Sequence, residues 1–165
     1  MDETLIRPAT ESDLPGILEI YNDAILNTTA TFDTKPQSLE EKREWIRETS
    51  YPYVVLVAER AGQVVGWASL RPFRPKAAYR YTAENSVYVE KDCHAEGIGT
   101  ALTQRLVQVG AENGFHTIIA GIAGDNPASL RLHKRFGFQI VGVEREVGYK
   151  FERWIDVKWM QRMLE

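Results

Sequence analysis

"SVYVEKDCHAEGIGTALTQRL", residues 86–106, changes character three times. It opens as a strand, with Val87 and Val89 on one side and Ser86 and Tyr88 on the other. A short polar turn follows and ends in Gly97 and Gly99. The chain then leaves as an amphipathic helix that carries Ala101, Leu102, Leu106 and Val109. Backbone N–H groups are free at a helix start, and the helix dipole adds partial positive charge there. Glycines let an anion approach that backbone closely, which is a phosphate-binding design. A lone G-x-G also fits a tight turn that holds no ligand, and both readings stay open on the pattern alone.

Two nucleotide loops fail on residues. A P-loop needs Gly-Lys-Ser/Thr, but Gly99 is followed by Thr100 and Ala101. A dinucleotide fingerprint needs a third glycine or alanine where this chain has Leu102.

Upstream of this stretch, "TLIRPA" reads as a first strand. Thr10 and Asp13 form a capping-box variant before Leu14, Ile17, Leu18, Tyr21 and Ile25 at helical spacing. The threonine-rich loop "NTTATFDTKPQ" leads to a second cap, Ser38 with Glu41, and a helix bearing Trp45 and Ile46. "YVVLVAE" and "VVGWASL" read as two strands about the turn "RAGQ". After the basic, proline-broken loop "RPFRPKAAYR", period two places Tyr81, Ala83, Asn85, Val87 and Val89 on one face of the next strand. Arg80, Thr82, Glu84, Ser86 and Tyr88 take the other.

Downstream, the third helix begins near Gly99 and can close at Gly114. "TIIAGI" is a buried type of strand. Asn126 caps a last helix with Pro127 at its first position, and Gly137 ends it. "FQIVGV" and "YKFERWIDVKWM" complete the strands. The order βααβββαβαββ predicts a mixed α/β sandwich, antiparallel in its first half with crossovers later.

The 165 residues fit one domain, 1–165, with 44% apolar and 26% charged residues. A net charge of −3 argues against a nucleic-acid binder. The single cysteine permits no internal disulfide, and no cysteine–histidine cluster has metal-site spacing. "MDETLIRPAT" is acidic and lacks a long apolar core, so neither a signal peptide nor a membrane span is expected, and a cytoplasmic location is.

Chemistry-bearing residues stand out at three places. Glu84 is a carboxylate inside a strand, where acidic residues are depleted; it faces either solvent or a site. His133 is a lone helical histidine, structural or catalytic. Arg71, Arg74, Lys76 and Arg80 crowd one loop of an acidic protein. That run is either a solvated surface or a cationic pocket for a small anionic acceptor, since arginine matches a carboxylate bidentately. Phe73 and Phe32 could wall such a pocket. Cys93 lacks an evident base and orienter, which argues against a covalent mechanism.

His94-Ala95-Glu96-Gly97-Ile98-Gly99 resembles the acetyl-CoA pyrophosphate loop of the GNAT acetyltransferases, [Q/R]-x-x-G-x-[G/A], with His94 as the departure. "FRPKAAYRYTAENSVYV", "GDNPASLRLHKRFGF" and "VGYKFERWIDVKWMQ" are similar to the phosphinothricin and methionine sulfoximine N-acetyltransferase branch, over essentially the whole chain. The resemblance implies the GNAT fold and direct acetyl transfer from acetyl-CoA to the α-amino group of a small amino acid or analogue. It implies that the main chain of Val87, Tyr88 and Val89 pairs with the pantetheine arm and that Ala95, Glu96, Gly97, Ile98, Gly99 and Thr100 hold the pyrophosphate. Asn126 would contact the arm.

By the same resemblance Glu84 binds the acceptor amine or acts as base, and His133 protonates the leaving thiolate. Arg74, Pro75 and Lys76 contact the acceptor, with Arg80 in the same cationic cluster, and the protein forms a homodimer. On reference values, moving a proton from an α-ammonium to a glutamate is uphill by about 3.5 pKa units. Glu84 must therefore be raised by burial, or else orient the amine while the proton leaves through water. Other readings keep the donor but take a polyamine, an aminoglycoside or a protein N-terminus, or make the chain a noncatalytic acyl-CoA sensor. Detoxification and routine amino-acid acetylation leave the same signature.

Overall fold

The computed structural model describes residues 2–165. Its elements are β1 (Thr4–Pro8), α1 (Leu14–Asn27), α2 (Leu39–Glu48), β2 (Val54–Arg60), β3 (Gln63–Pro72), β4 (Thr82–Val89), α3 (Ile98–Glu112), β5 (Thr117–Ala123), α4 (Pro127–Arg135), β6 (Gln139–Lys150) and β7 (Arg153–Met163). This is the βααβββαβαββ order read from the sequence. The strands form one seven-stranded sheet in the order β1-β2-β3-β4-β5-β7-β6. β1 to β4 are antiparallel neighbours, β4 and β5 are parallel, and β7 lies antiparallel between β5 and β6.

Both faces of the sheet are covered, because alternate residues of its central strands are apolar on both sides. Leu56, Ala68, Leu70 and Ala83 join Ile98, Leu102 and Leu106 of α3 in one core. Val55, Val57 and Trp67 join Leu14, Ile17 and Ile20 of α1 in the other. Leu102 is fully buried, and truncating such a leucine costs about 2–5 kcal/mol. The first turn of α3 sits on Gly66. A Cβ there would fall 2.9 Å from Ile98 Cγ2 and 3.0 Å from Leu102 Cδ1, so the bare backbone of β3 sets how closely the glycine turn approaches the sheet.

Two helix starts behave as their sequences predict. Ser38 Oγ accepts the Glu41 N–H (3.2 Å), and Glu41 accepts the Ser38 N–H (2.6 Å). Asn126 Oδ1 accepts the Ser129 N–H at 3.2 Å. The C-terminal strands differ from expectation. "YKFERWIDVKWM" is not one strand: Tyr149 and Lys150 end β6, Phe151 and Glu152 turn, and β7 starts at Arg153. Both turn residues have positive φ, 54° and 60°. Hairpins of this kind usually advertise themselves with Asn-Gly or Asp-Gly, and this one has neither.

Candidate active site

The geometry begins with a parting of strands. β4 and β5 pair only over Thr82–Glu84 and Thr117–Ile119. Beyond that point β5 follows β7 through Ala123, while β4 follows β3 through Val89. The two inner edges diverge. Asn85 to Tyr88 and Ala120 to Ala123 then line a small cavity, closed by Ala30, Asn126, Ser129 and His133. Backbone groups on a parted edge need partners, and an extended amide chain can supply them as an added strand.

The glycine turn stands at the outer end of β4. Gly97 has φ +83°, a left-handed conformation that a side chain would strain. Ala101 N–H makes the first helical bond, to Gly97 O at 3.0 Å, so the N–H groups of Ile98, Gly99 and Thr100 have no partner within the helix. Ile98 buries its side chain in the core and can offer a ligand only its main chain. His94 Nε2 lies 3.1 Å from Val89 O, joining the turn to the strand end. Glu96, the acid of this turn, pairs with Arg60 Nη1 at 2.7 Å.

His133 is buried at the inner end. Its Nδ1 lies 2.7 Å from Ser129 O, a pure acceptor, so Nδ1 carries the proton. Nε2 meets the Asn85 amide nitrogen at 3.1 Å and accepts from it. Burial pushes the imidazole below its ordinary range, and the Ser129 contact only partly opposes this. The ring is therefore neutral as it stands. Asn85 Oδ1 is buried without a partner among the described residues. A half-turn of that amide would set Oδ1 against a protonated Nε2.

Glu84 lies on the other face of β4, half buried, opposite Arg71 of β3. Burial pushes its carboxyl above the usual range, and the Arg74 cation partly offsets this. The Arg74 guanidinium sits 4.6 Å from the Phe73 ring centre and 5.6 Å from that of Tyr79. Phe73 in turn packs edge-on against Trp159 of β7. Pro75 and Lys76 are exposed. Arg80 lies over the Tyr81 ring and donates to Ala77 O. Of these cations, Arg74 is the one whose charge acts on Glu84.

The threonine-rich loop is pinned across the site. Thr29 donates to Asp125 at 2.8 Å, and the buried Lys150 ammonium donates to Thr31 O at 2.8 Å. Phe32 packs against Gly148, where a Cβ would overlap one edge of its ring. "GYK" thus serves this loop through its glycine and lysine.

A second cavity, of about 240 Å³, lies on the α1–α2 side of β3 and β4. It is lined by Lys42 and Trp45 of α2, Trp67, Ser69 and Arg71 of β3, and Ser86 and Tyr88 of β4, with Tyr21 at its wall. Ser86 and Tyr88 line both cavities, which therefore meet at β4. Apart from Tyr88 and Arg71, these side chains were not singled out as site residues from sequence. One signal was available: Lys42 stands three residues before Trp45 and four before Ile46, on the apolar stripe of its helix.

A strand-like groove with the free N–H groups of a helix start at one end and a buried histidine at the other, and a half-buried carboxylate on the opposite face of β4, suits an extended, amide-bearing group-transfer donor with an anionic end. The family model for the acetyltransferase (GNAT) domain matches residues 6–159. The chain is 42% identical to the L-methionine sulfoximine/L-methionine sulfone acetyltransferase of Pseudomonas aeruginosa, over 97% of this chain and 94% of that one. Among solved structures it resembles a ribosomal-protein-alanine N-acetyltransferase from Brucella melitensis (45% identity, TM-score 0.95, 97% and 99% of the chains). It also resembles a phosphinothricin acetyltransferase from Sinorhizobium meliloti in complex with acetyl-CoA (36%, TM-score 0.94, 98% and 88%). The chain belongs to the GNAT acetyltransferase family, and acetyl-CoA is its acetyl donor.

Proposed function

We propose that this chain transfers acetyl to the α-amino group of a small amino acid or amino-acid analogue of the methionine sulfone, methionine sulfoximine or phosphinothricin type. The observation that carries the reading is the position of Glu84. It is a half-buried carboxylate of raised pKa beside Arg74, on the β4 face whose next two residues, Ser86 and Tyr88, also line the donor groove. An ammonium finds an anion in Glu84, and a carboxylate finds a planar fork in Arg74. Phe73 and Phe32 wall the site, with Pro75, Lys76 and Arg80 at its rim.

On the donor side, the main chain of Val87, Tyr88 and Val89 pairs with the pantetheine arm, and one of those amides faces the thioester carbonyl. A donor so aimed is worth about 3 kcal/mol in the transition state. The N–H groups from Ala95 to Thr100 hold the diphosphate, and Asn126 touches the arm. The amine attacks the thioester carbon, the C–S bond breaks, and the amine proton leaves by way of Glu84 or water. The raised pKa of Glu84 narrows the proton-transfer gap that reference values impose. His133 supplies the thiolate proton once its Nε2 is protonated.

A thiol-release assay with acetyl-CoA tests the reading. The panel holds methionine sulfone, methionine sulfoximine, phosphinothricin, spermidine, an aminoglycoside and an alanine-initiated peptide. The amino-acid analogues should turn over fastest. Faster peptide turnover would transfer the chain to the protein N-terminal reading that the Brucella relative's name suggests. Absence of thiol release with every acceptor would leave the sensor reading.

The β6–β7 hairpin supports a homodimer. Val141, Val143, Val147, Tyr149 and Trp154 are half or more exposed there, or nearly so, beside the unpaired edge of β6. Light scattering at micromolar protein should give twice the chain mass, and a monomer mass would end this proposal. No helix among the described residues is long and apolar enough to cross a membrane. A cytoplasmic location belongs to the same reading.

A further inference from the structure

The second cavity contains a cation that no described residue pairs. Lys42 is 3% exposed. Its Nζ sits 4.1 Å from the Trp45 ring centre, 4.3 Å from Tyr21 and 5.2 Å from Trp67. Among the described residues it makes no hydrogen bond or ion pair to a side chain. The facing charges are few. Glu41 is engaged in its helix cap, Asp33 takes the Tyr21 hydroxyl, and Arg71 donates to Trp45 O and Thr49 Oγ1. Trp67 is buried too, and its indole N–H has no partner. Aromatic faces offset part of the desolvation of an ammonium, but they leave its N–H donors without oxygen acceptors. Two cations, Lys42 and Arg71, line one space with the hydroxyls of Ser69 and Ser86, the Glu41 carboxylate and the Gln37 amide, and the Trp67 indole N–H lies buried in its wall.

Size and position narrow the occupant. At about 240 Å³ the space is below the usual range for a whole-ligand site, so it suits part of a molecule. In the β3–β4 register Arg71 faces Glu84, Ser69 faces Ser86 and Trp67 faces Tyr88. Glu84 therefore stands one same-face step, about 7 Å, from Ser86 at the cavity wall. An acceptor whose amine is at Glu84 reaches that wall with a side chain of three or four atoms.

We propose that this cavity is the acceptor's side-chain subsite, and that Lys42 and the Trp67 indole select an oxygen-rich terminal group such as a sulfonyl, phosphinyl or carboxylate. The proposal rests on the amino-acid reading above. It gives the acceptor's far end a recognition element distinct from the Glu84–Arg74 pair that reads its backbone.

The test is a ratio measured within each enzyme, so that the fraction of folded protein cancels. The ratio is kcat/KM for methionine sulfone over kcat/KM for norleucine, which matches its length and lacks oxygens. Lys42→Met should lower it at least tenfold, and Trp67→Phe about threefold. Methionine sulfone should also quench the tryptophan fluorescence of the wild type saturably, with Kd raised about tenfold in Lys42→Met. If Lys42→Met does not fold, the Trp67→Phe ratio decides. An unchanged ratio in both variants overturns the subsite, as does a wild type that prefers norleucine, and either result leaves amino-acid acetylation standing. A wild type that acetylates no α-amino acid overturns both.

Discussion

The two sides of β4 offer different means of recognition. On the α3 side the structure offers main chain: the parted edges of β4 and β5 and the free N–H groups at the start of α3. On the α1–α2 side it offers side chains, namely Glu84, Arg74, Lys42 and a set of aromatic rings. Main-chain recognition depends on chain path, so one contiguous stretch can encode it. Side-chain recognition depends on which residues the fold brings together, and here they come from two helices, two strands and a loop. A donor shared by many enzymes suits the first means, and an acceptor peculiar to few suits the second.

The sharpest way to break that contrast is at His133, which lines the groove yet acts through its side chain. His133→Ala should lower kcat by about 10²-fold, near the lower end for general acid catalysis, with a much smaller change in acetyl-CoA affinity. Steady-state kinetics and calorimetry read the two separately. An unchanged kcat would remove His133 from the chemistry and leave it as the buried partner of Asn85 and Ser129.

Gly97→Val tests the main-chain side directly. The substitution forces a β-branched residue into φ +83° and shifts the amides proposed to hold the diphosphate. A misplacement of about 1 Å can cost on the order of 10² in kcat/KM. The loss should appear in the KM for acetyl-CoA and be the same for every acceptor. A loss that varied with the acceptor would mean that the two sides are not separate.

Glu84→Gln sharpens the other side. Turnover at neutral pH should fall by about 10–100-fold, at or below the lower end for one positioned acid–base group, as an orienting role implies. The deficit should shrink at alkaline pH, where more of the amine is already neutral. Stability should move in the opposite direction. A carboxyl whose folded-state pKa is raised favours the fold below its unfolded pKa, and that advantage is lost as pH rises through the folded value. Glu84→Gln should therefore match or exceed the wild-type Tm near pH 8, and the difference should close below the normal carboxylate range. A variant inactive at every pH would make Glu84 more than an orienting group. A lower Tm at pH 8 would make it structural.

This division also explains what could be read from the chain. The helix starts at Ser38 and Asn126, the strand faces of β4 and the glycine turn all follow from local rules of capping and period, and the structure places them where those rules put them. The branch-specific "GYK" is visible as a motif. Its work, a lysine on Thr31 O and a glycine under Phe32, depends on residues more than a hundred positions away. The Phe151–Glu152 turn carries no turn residue and could not be read. Lys42 was legible as a cation on an apolar helix stripe, but not as a cation under three rings, because Trp67 belongs to another element. The basic run showed the reverse limit: it is one cluster in sequence, but the Arg74 cation acts on Glu84, Arg80 lies over Tyr81 and Lys76 is exposed.

The smallest effect is expected at Glu96, the one acid among the six residues assigned to the diphosphate. An acid beside a bound anion should repel it, yet Arg60 Nη1 holds the Glu96 carboxylate at 2.7 Å and cancels most of its charge locally. Both groups are partly exposed, so solvent screens what field remains. Glu96→Gln should tighten acetyl-CoA by less than about twofold at moderate salt, because exposed pairs count for little. The change should be the same for every acceptor. Arg60→Gln leaves the acid in place without its partner and should weaken acetyl-CoA, most visibly at low ionic strength. Isothermal titration of both variants at two salt concentrations measures the pair. If Arg60→Gln bound acetyl-CoA as well as the wild type did at low salt, side-chain charge would have no part in the anion site, and the contrast between the two sides of β4 would be sharper still.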